Sequence, residues 1–244
     1  MSKITREKFK TYQNVFDNFT LRKLFELGSK GLFLDIKSPI SIGKEANIFT
    51  AEREDGSLII LKIYRLETCD FNRMYDYIKY DVRYLNLKSK KREIIFNWAQ
   101  REFRNLQKAR EAGVRVPTPI HCSDHIVIME LIGEKEPASK LKDHYPEDPK
   151  KYFEKLRGYM RQMWKAGLVH GDLSEFNILN HKDSPVFIDF SQGTITRSGN
   201  AIDLLKRDCK NMARFWTKLG LKVNQDSLYD YITKEGKGFV KGKS

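Results

Sequence analysis

The stretch from Asn177 to Asp189 restricts the fold more than any other part of this chain. Ile178-Leu179, the turn residues His181-Lys182-Asp183-Ser184-Pro185 and then Val186-Phe187-Ile188 are two short apolar runs around a reversal, which reads as a β-hairpin. The two flanks of a hairpin's open end lie side by side. Here those flanks are Asn177 and Asp189, an amide and a carboxylate, both oxygen donors suited to one divalent cation. Immediately upstream, His170-Gly171-Asp172-Leu173-Ser174-Glu175-Phe176 adds a second carboxylate, Asp172, five residues before Asn177. The remainder of the chain must build a cavity beside this hairpin.

The pattern of the remainder changes along the chain. Residues from about Arg6 to Leu34 read as helical, with Phe9, Tyr12, Phe16, Phe19, Leu21, Leu24, Phe25 and Leu27 apolar and Gly28 and Gly31 as breakers. From Pro39 the pattern turns to strands: Ile40, Ile42, Ile48 and Phe49 flank a loop, Glu54-Asp55-Gly56-Ser57 is a turn, and Leu58 to Tyr64 is rich in β-branched residues. A long polar, tyrosine-rich insertion follows, about Arg65 to Glu93, expected to be flexible. Ile94 to Ala112 is predicted as a helix ended by Gly113, and His125 to Leu131 as a strand. Asp148-Pro149 opens a helix running to Gly167, and helices over Ala201 to Leu219 and about Asp226 to Lys234 close the chain. Strands with one helix, then mostly helices, predict an α+β enzyme of two lobes with a cleft between them. The expected division is an N-terminal helical extension over 1–38, an N-lobe over 39–129 and a mainly helical C-lobe over 130–244.

Composition removes several classes. At 244 residues with 40% hydrophobic, 12% aromatic and 32% charged side chains, the chain reads as globular and not disordered. The N-terminal residues lack the apolar core of a signal peptide, and no run approaches the ~18 apolar residues of a membrane helix, so a cytoplasmic protein without a membrane partner is expected. Cys69, Cys122 and Cys209 show no metal-type spacing and read as reduced thiols. The net charge of +13 exceeds what one nucleotide requires and points to a polyanionic partner such as RNA or a ribonucleoprotein, against the plainer reading of a basic, solvated surface.

An Asp, an Asn and a further Asp in this order suit phosphoryl transfer from ATP: Asp172 to orient and deprotonate the attacking hydroxyl, Asn177 and Asp189 to hold Mg²⁺ against the triphosphate. His170 is expected to brace the loop. Ser41-Ile42-Gly43-Lys44-Glu45-Ala46 is compatible with a phosphate-covering loop, though an ordinary hairpin has the same composition. Lys62 interrupts an apolar strand just after that loop and is placed to reach phosphates. Its anionic partner is sought on the next helix, where Glu102 is preferred over Glu93 and Glu111 at the helix ends. The main chain of Glu130 and Ile132, after the strand from His125, is placed to bind adenine.

Ser41-Ile42-Gly43-Lys44-Glu45-Ala46-Asn47, Leu61-Lys62-Ile63-Tyr64, Glu102-Phe103-Arg104-Asn105-Leu106, the stretch His170 to Leu179 and Ile188-Asp189-Phe190-Ser191-Gln192 together resemble the RIO atypical protein kinases, specifically the type-one branch. The resemblance spans about Ser38 to Leu219; a type-two member would carry a winged helix for which the stretch before Pro39 is too short. It implies a protein-kinase-like fold with a reduced C-lobe, and a serine kinase or ATPase acting with ATP and Mg²⁺ (or Mn²⁺) in maturation of the small ribosomal subunit. It further implies a pre-small-ribosomal-subunit particle as partner, and Asp189 as a second catalytic residue able to accept the phosphate. Asp189-Phe190-Ser191 lacks the glycine of ordinary kinases, and no A-P-E segment follows it. Two rivals remain: a small-molecule phosphotransferase of the aminoglycoside or choline kinase type, and an ATP-gated, nonenzymatic assembly factor. A basic RNA-binding module would explain the charge but not the acidic residues.

Overall fold

The computed structural model describes residues 16–234 apart from 85, 86, 88, 89 and 135. Five antiparallel strands form one sheet: β1 (Asp35–Ile42), β2 (Ala46–Glu52), β3 (Leu58–Tyr64), β4 (Pro119–Ser123) and β5 (Ile126–Glu130), in the order β1-β2-β3-β5-β4. Period-two alternation in β3 decides what each sheet face does. Ile59, Leu61 and Ile63 point to one face, packing with Phe49, Ile126 and Ile128. That face is covered by helix α1 (Asn18–Ser29), whose Leu24 and Leu27 are fully buried in the same cluster. Ile60 and Tyr64 turn to the other face, against helix α3 (Lys91–Glu111) and its Ile95, Trp98 and Leu106. Lys62, on that same side of β3, is thereby directed at α3.

The N-terminal helix is therefore half of the N-lobe's packing and not an appendage, and the expected boundary at 38/39 falls inside β1. Gly28 is buried within α1 and does not break it; the helix starts at the Asp17 cap, whose Oδ1 accepts from Thr20 N at 2.9 Å, and stops at Lys30. Phe9 and Tyr12 lie outside the described residues.

The segment after β3, expected as a flexible insertion, holds helix α2 (Phe71–Ile78) and a 3-10 turn over Val82–Tyr84, with Cys69, Met74, Ile78 and Tyr84 buried in the main core beside α3. Strand β4 had no counterpart in the sequence reading.

The second half holds α4 (Pro149–Lys165), β6 (Leu168–Val169), β7 (Ile178–Asn180), β8 (Pro185–Phe187), β9 (Thr194–Ile195), α5 (Ala201–Lys218) and α6 (Gln225–Thr233). Asp148 caps α4, with Oδ1 accepting from Lys151 N at 2.9 Å. Trp216 of α5 packs on Tyr152 and Phe153 of α4, with ring centroids 5.8 and 5.5 Å apart. Strands β7 and β8 are the expected hairpin, in the register Ile178 to Phe187. Among the described residues no helix is long and apolar enough to cross a membrane.

Candidate active site

Between the lobes lies a cavity of about 340 Å³ whose wall includes Ser41, Lys62, Glu102, Glu130, Ile132, Asn177 and Asp189. Gly43 and Lys44 sit outside that wall, in the turn joining β1 to β2. Gly43 N donates to Ala46 O at 3.1 Å, and a Cβ at Gly43 would stand 2.9 Å from that same oxygen, so the tightness of the turn requires glycine. The carbonyls of this turn are held by the segment after β3: Arg65 N and Cys69 Sγ donate to Glu45 O, and Thr68 Oγ1 to Lys44 O.

Lys62 is the centre of the charged cluster. Its Nζ lies 2.7 Å from Glu102 Oε1 and 3.0 Å from Asp189 Oδ1. Glu102 is buried and also accepts from Tyr64 Oη at 2.5 Å. Burial would strip the lysine of its proton, but the two carboxylates outweigh it and raise its pKa. Burial pushes Glu102 upward, against the pull of Lys62.

Asp189 is the other end of this cluster. It takes a left-handed backbone conformation (φ 61°), unusual for a residue with a side chain. Its Oδ1 accepts from both Lys62 and Ser191 Oγ (2.7 Å), leaving Oδ2 as the outward oxygen of a side chain that is 40% exposed. Burial opposes its ionisation, yet Lys62 and Ser191 hold its pKa down to about 2.

The hairpin joins this carboxylate to the upstream loop. Ile188 N donates to Asn177 O at 3.0 Å, which fixes the open end of the β7–β8 hairpin. Asn177 Nδ2 donates to Asp172 O (2.8 Å) and Oδ2 (3.2 Å), so its oxygen end is the one left for a cation. Burial and the neighbouring charge of Asp189 raise the pKa of Asp172, opposed by Arg207 at 3.9 Å and by Asn177. A raised carboxylate is a better proton acceptor. His170 receives a hydrogen bond from Asp172 N at Nδ1 and lies 3.0 Å from Ile188 O through Nε2, which assigns a neutral ring with its proton on Nε2. Burial keeps it neutral by lowering its pKa to about 4.

Glu130 departs from a simple backbone role. Its carboxylate is gripped by Arg115 (3.0 and 2.6 Å) and Thr118, and its N–H donates to Thr118 O, so any ligand contact falls to its carbonyl. Burial is outweighed there, and the pKa falls to about 2. Ile132 gives its carbonyl to Ala138 N at 2.7 Å, leaving its N–H.

A sequence profile of the RIO domain matches residues 47–228. The chain belongs to the RIO family. It is 40% identical over 228 residues to the RIO-type serine/threonine-protein kinase Rio1 of Haloferax volcanii, covering 93% of this chain and 79% of that protein. Against Rio1 of Methanocaldococcus jannaschii the figures are 41% over 229 residues, 93% and 78%. The chain is thus an atypical serine/threonine kinase of the archaeal-like Rio1 branch. Its fold is similar to that of a Rio2 kinase from Chaetomium thermophilum, solved as an ADP/Mg²⁺-phosphoaspartate complex, with TM-score 0.67, 24% identity, and 89% of this chain and 67% of that one covered. The likeness shows the two-lobed, kinase-like α+β fold.

Several residues of this RIO site escaped the sequence reading. Asp208, buried on α5, accepts from Gly171 N and Leu173 N, both at 2.8 Å, and so carries the loop of Asp172. Burial pushes its pKa up to about 7 against those two donors. An acidic residue inside the apolar stripe Leu204, Leu205, Cys209, Met212 was the available signal. Tyr64 and Arg207 had none, because their partners lie far along the chain, whereas Ser191 sits two residues from the Asp189 it bonds and was noted only for replacing the usual glycine.

Proposed function

We propose that this RIO protein binds ATP with Mg²⁺ (or Mn²⁺) in the interlobe cavity and transfers the γ-phosphoryl group to a serine of its own or of a protein, or hydrolyses it. The observation that carries this reading is one lysine, Lys62, shared between a buried carboxylate on α3 and a metal-type carboxylate beside Asn177 and Asp172. The donor set fits a divalent cation. Lys62 is one positive charge against Glu102 and Asp189, and Arg207 faces Asp172, so the cluster is one charge negative. Among the described residues no group of three His, Cys, Asp or Glu forms a metal site, so Asn177 and Asp189 would share the ion with phosphate oxygens. Bound there, the ion would neutralise charge on the β- and γ-phosphates.

Lys62, positioned by Glu102, directs the phosphates, and the turn of Ser41, Gly43 and Lys44 covers them. The Glu130 carbonyl and Ile132 N–H offer adenine one acceptor and one donor. Asp172 takes the proton from the acceptor hydroxyl as its oxygen bonds to phosphorus and the bridge to ADP breaks. Asp189 is the alternative acceptor: its carboxylate needs no base, and water would then release phosphate from the acyl-phosphate. A phosphoaspartate in the Rio2 relative supports this route. The physiological setting we propose is cytoplasmic maturation of the small ribosomal subunit, with the +13 charge engaging the particle's RNA. A small-molecule phosphotransferase is disfavoured because the described C-lobe has only α5 and α6 after Asp189 and β9.

Incubation with γ-labelled ATP and Mg²⁺, followed by acid and hydroxylamine treatment, tests the reading. Acid-stable label indicates phosphoserine and hydroxylamine-labile label phosphoaspartate; Asp172→Ala should abolish the former and Asp189→Asn both. A wild-type protein that neither takes up label nor releases phosphate would sink the proposal.

A further inference from the structure

The chain after Asp189 reaches α5 within a dozen residues, leaving little to brace the two reacting loops. That brace comes from the opposite side of the cleft. Tyr77 on α2 accepts a hydrogen bond at Oη from Arg207 Nη1 (2.9 Å), and its ring lies 5.7 Å from the guanidinium. The same guanidinium donates through Nη2 to Gly171 O and to Gln192 Oε1 (3.0 Å), and stands 3.9 Å from Asp172. One arginine therefore ties α2 to the loop of Asp172 and to the segment just after Asp189. A second connection runs in parallel: Arg83 Nη1 donates to Asn105 Oδ1 (3.0 Å), and Asn105 Nδ2 donates to Phe190 O and Gly193 O (3.0 and 2.7 Å). Two routes thus leave one segment, both reaching the stretch just after Asp189 and the one through Arg207 also reaching the loop of Asp172, which exceeds what docking α2 on α3 requires. The edge contact of Tyr77 with Trp98 already serves that docking.

We propose that Tyr77 is a positioning residue for phosphoryl transfer: through its hydroxyl it fixes Arg207, and Arg207 sets the loop that carries Asp172. The segment after β3 then orders the reacting loops, a role the short stretch after Asp189 is too small to fill. Neither Tyr77 nor Arg207 lines the cavity, so the expected effect of the pair falls on turnover and not on ATP binding.

The proposal rests on the phosphoryl-transfer reading for its kinetic consequence but not for its structural one, and the experiment separates them. Tyr77→Phe keeps the ring and removes only the hydroxyl. It is expected to lower kcat about tenfold, the effect of one hydrogen bond to a charged group, with KM for ATP unchanged. Arg207→Lys should recover part of what Arg207→Ala loses, and Tyr77→Phe should cost nothing further in the Arg207→Ala background. Hydrogen–deuterium exchange over residues 171–177, without nucleotide, should quicken in Tyr77→Phe while Tm stays near that of the parent. Unchanged exchange, or kinetic losses that simply add, would overturn the assignment. Faster exchange in a protein without ATP turnover would retain the Tyr77–Arg207 link and refute the enzyme reading alone.

Discussion

Lys62 shows how a single position acquires its role from periodicity. A polar residue in an apolar strand is ordinarily turned to solvent, but both faces of this sheet are covered, so Lys62 enters the core on the α3 side and finds Glu102. Lys62→Ala leaves Glu102 buried beside Tyr64 without its cation and frees Asp189 to swing. A loss of ATP turnover of about 10²–10³-fold is expected, measured as phosphate release. Retention of more than a tenth of the wild-type rate would show that another group handles the phosphates. Gly171 is the second test at this scale. It has φ 78°, and a Cβ would stand 2.9 Å from Gln192 O, so alanine must displace the backbone that presents Asp172. Gly171→Ala should cost more than about 1 kcal/mol of stability, read from denaturant midpoints, together with most of the activity.

At the scale of elements, α1 is joined to the sheet by Thr20 Oγ1 and His125 Nε2, 2.9 Å apart. His125 is fully buried, and burial lowers its pKa to about 4 despite the pull of Asp17 and Asp124. The unfolded chain takes up this proton near pH ~6.5, so stability is fully present above that value and is lost as pH falls towards 4. The loss is on the order of 3 kcal/mol for this one group. Tm recorded from pH 7.5 to 4.5 should fall, and His125→Asn should flatten part of that slope, His170 accounting for another part; parallel slopes in the two proteins would contradict the assignment. The helices α3, α4 and α5, the strand β3 and the hairpin were legible in the sequence, because caps, glycines and apolar periodicity are local signals. Strand β4 was not: Pro117 and Pro119 resemble punctuation, and only pairing with β5 makes Pro119–Ser123 a strand. Helix α2 in the segment after β3 was missed for a similar reason. The segment's polar residues look solvated until α3 supplies partners: Trp98 for Tyr77, Asn105 for Arg83 and Arg101 for Asp81. In the site, Lys62, Glu102, Asn177 and Asp189 could be named from spacing, whereas Asp208 and Arg207 belong to a helix that returns to the loop only in three dimensions.

For the whole molecule, the described C-lobe is small: α4, α5 and α6 pack together, and among the described residues α5 and α6 are the only helices after Asp189. Phosphate release from ATP should therefore outpace phosphorylation of generic serine peptides under identical conditions; the opposite order would reveal a docking surface outside the described residues. The main apolar core also runs without a break from Ile95, Trp98 and Leu106 of α3 to Met160, Phe187 and Phe190 beyond the cleft. A core shared by both lobes resists their separation, and release of ADP is expected to be the slow event of the cycle. Rapid-quench kinetics should then show a burst of one equivalent before the steady state, the behaviour of a timer that lingers in its used form more than of a fast-cycling engine.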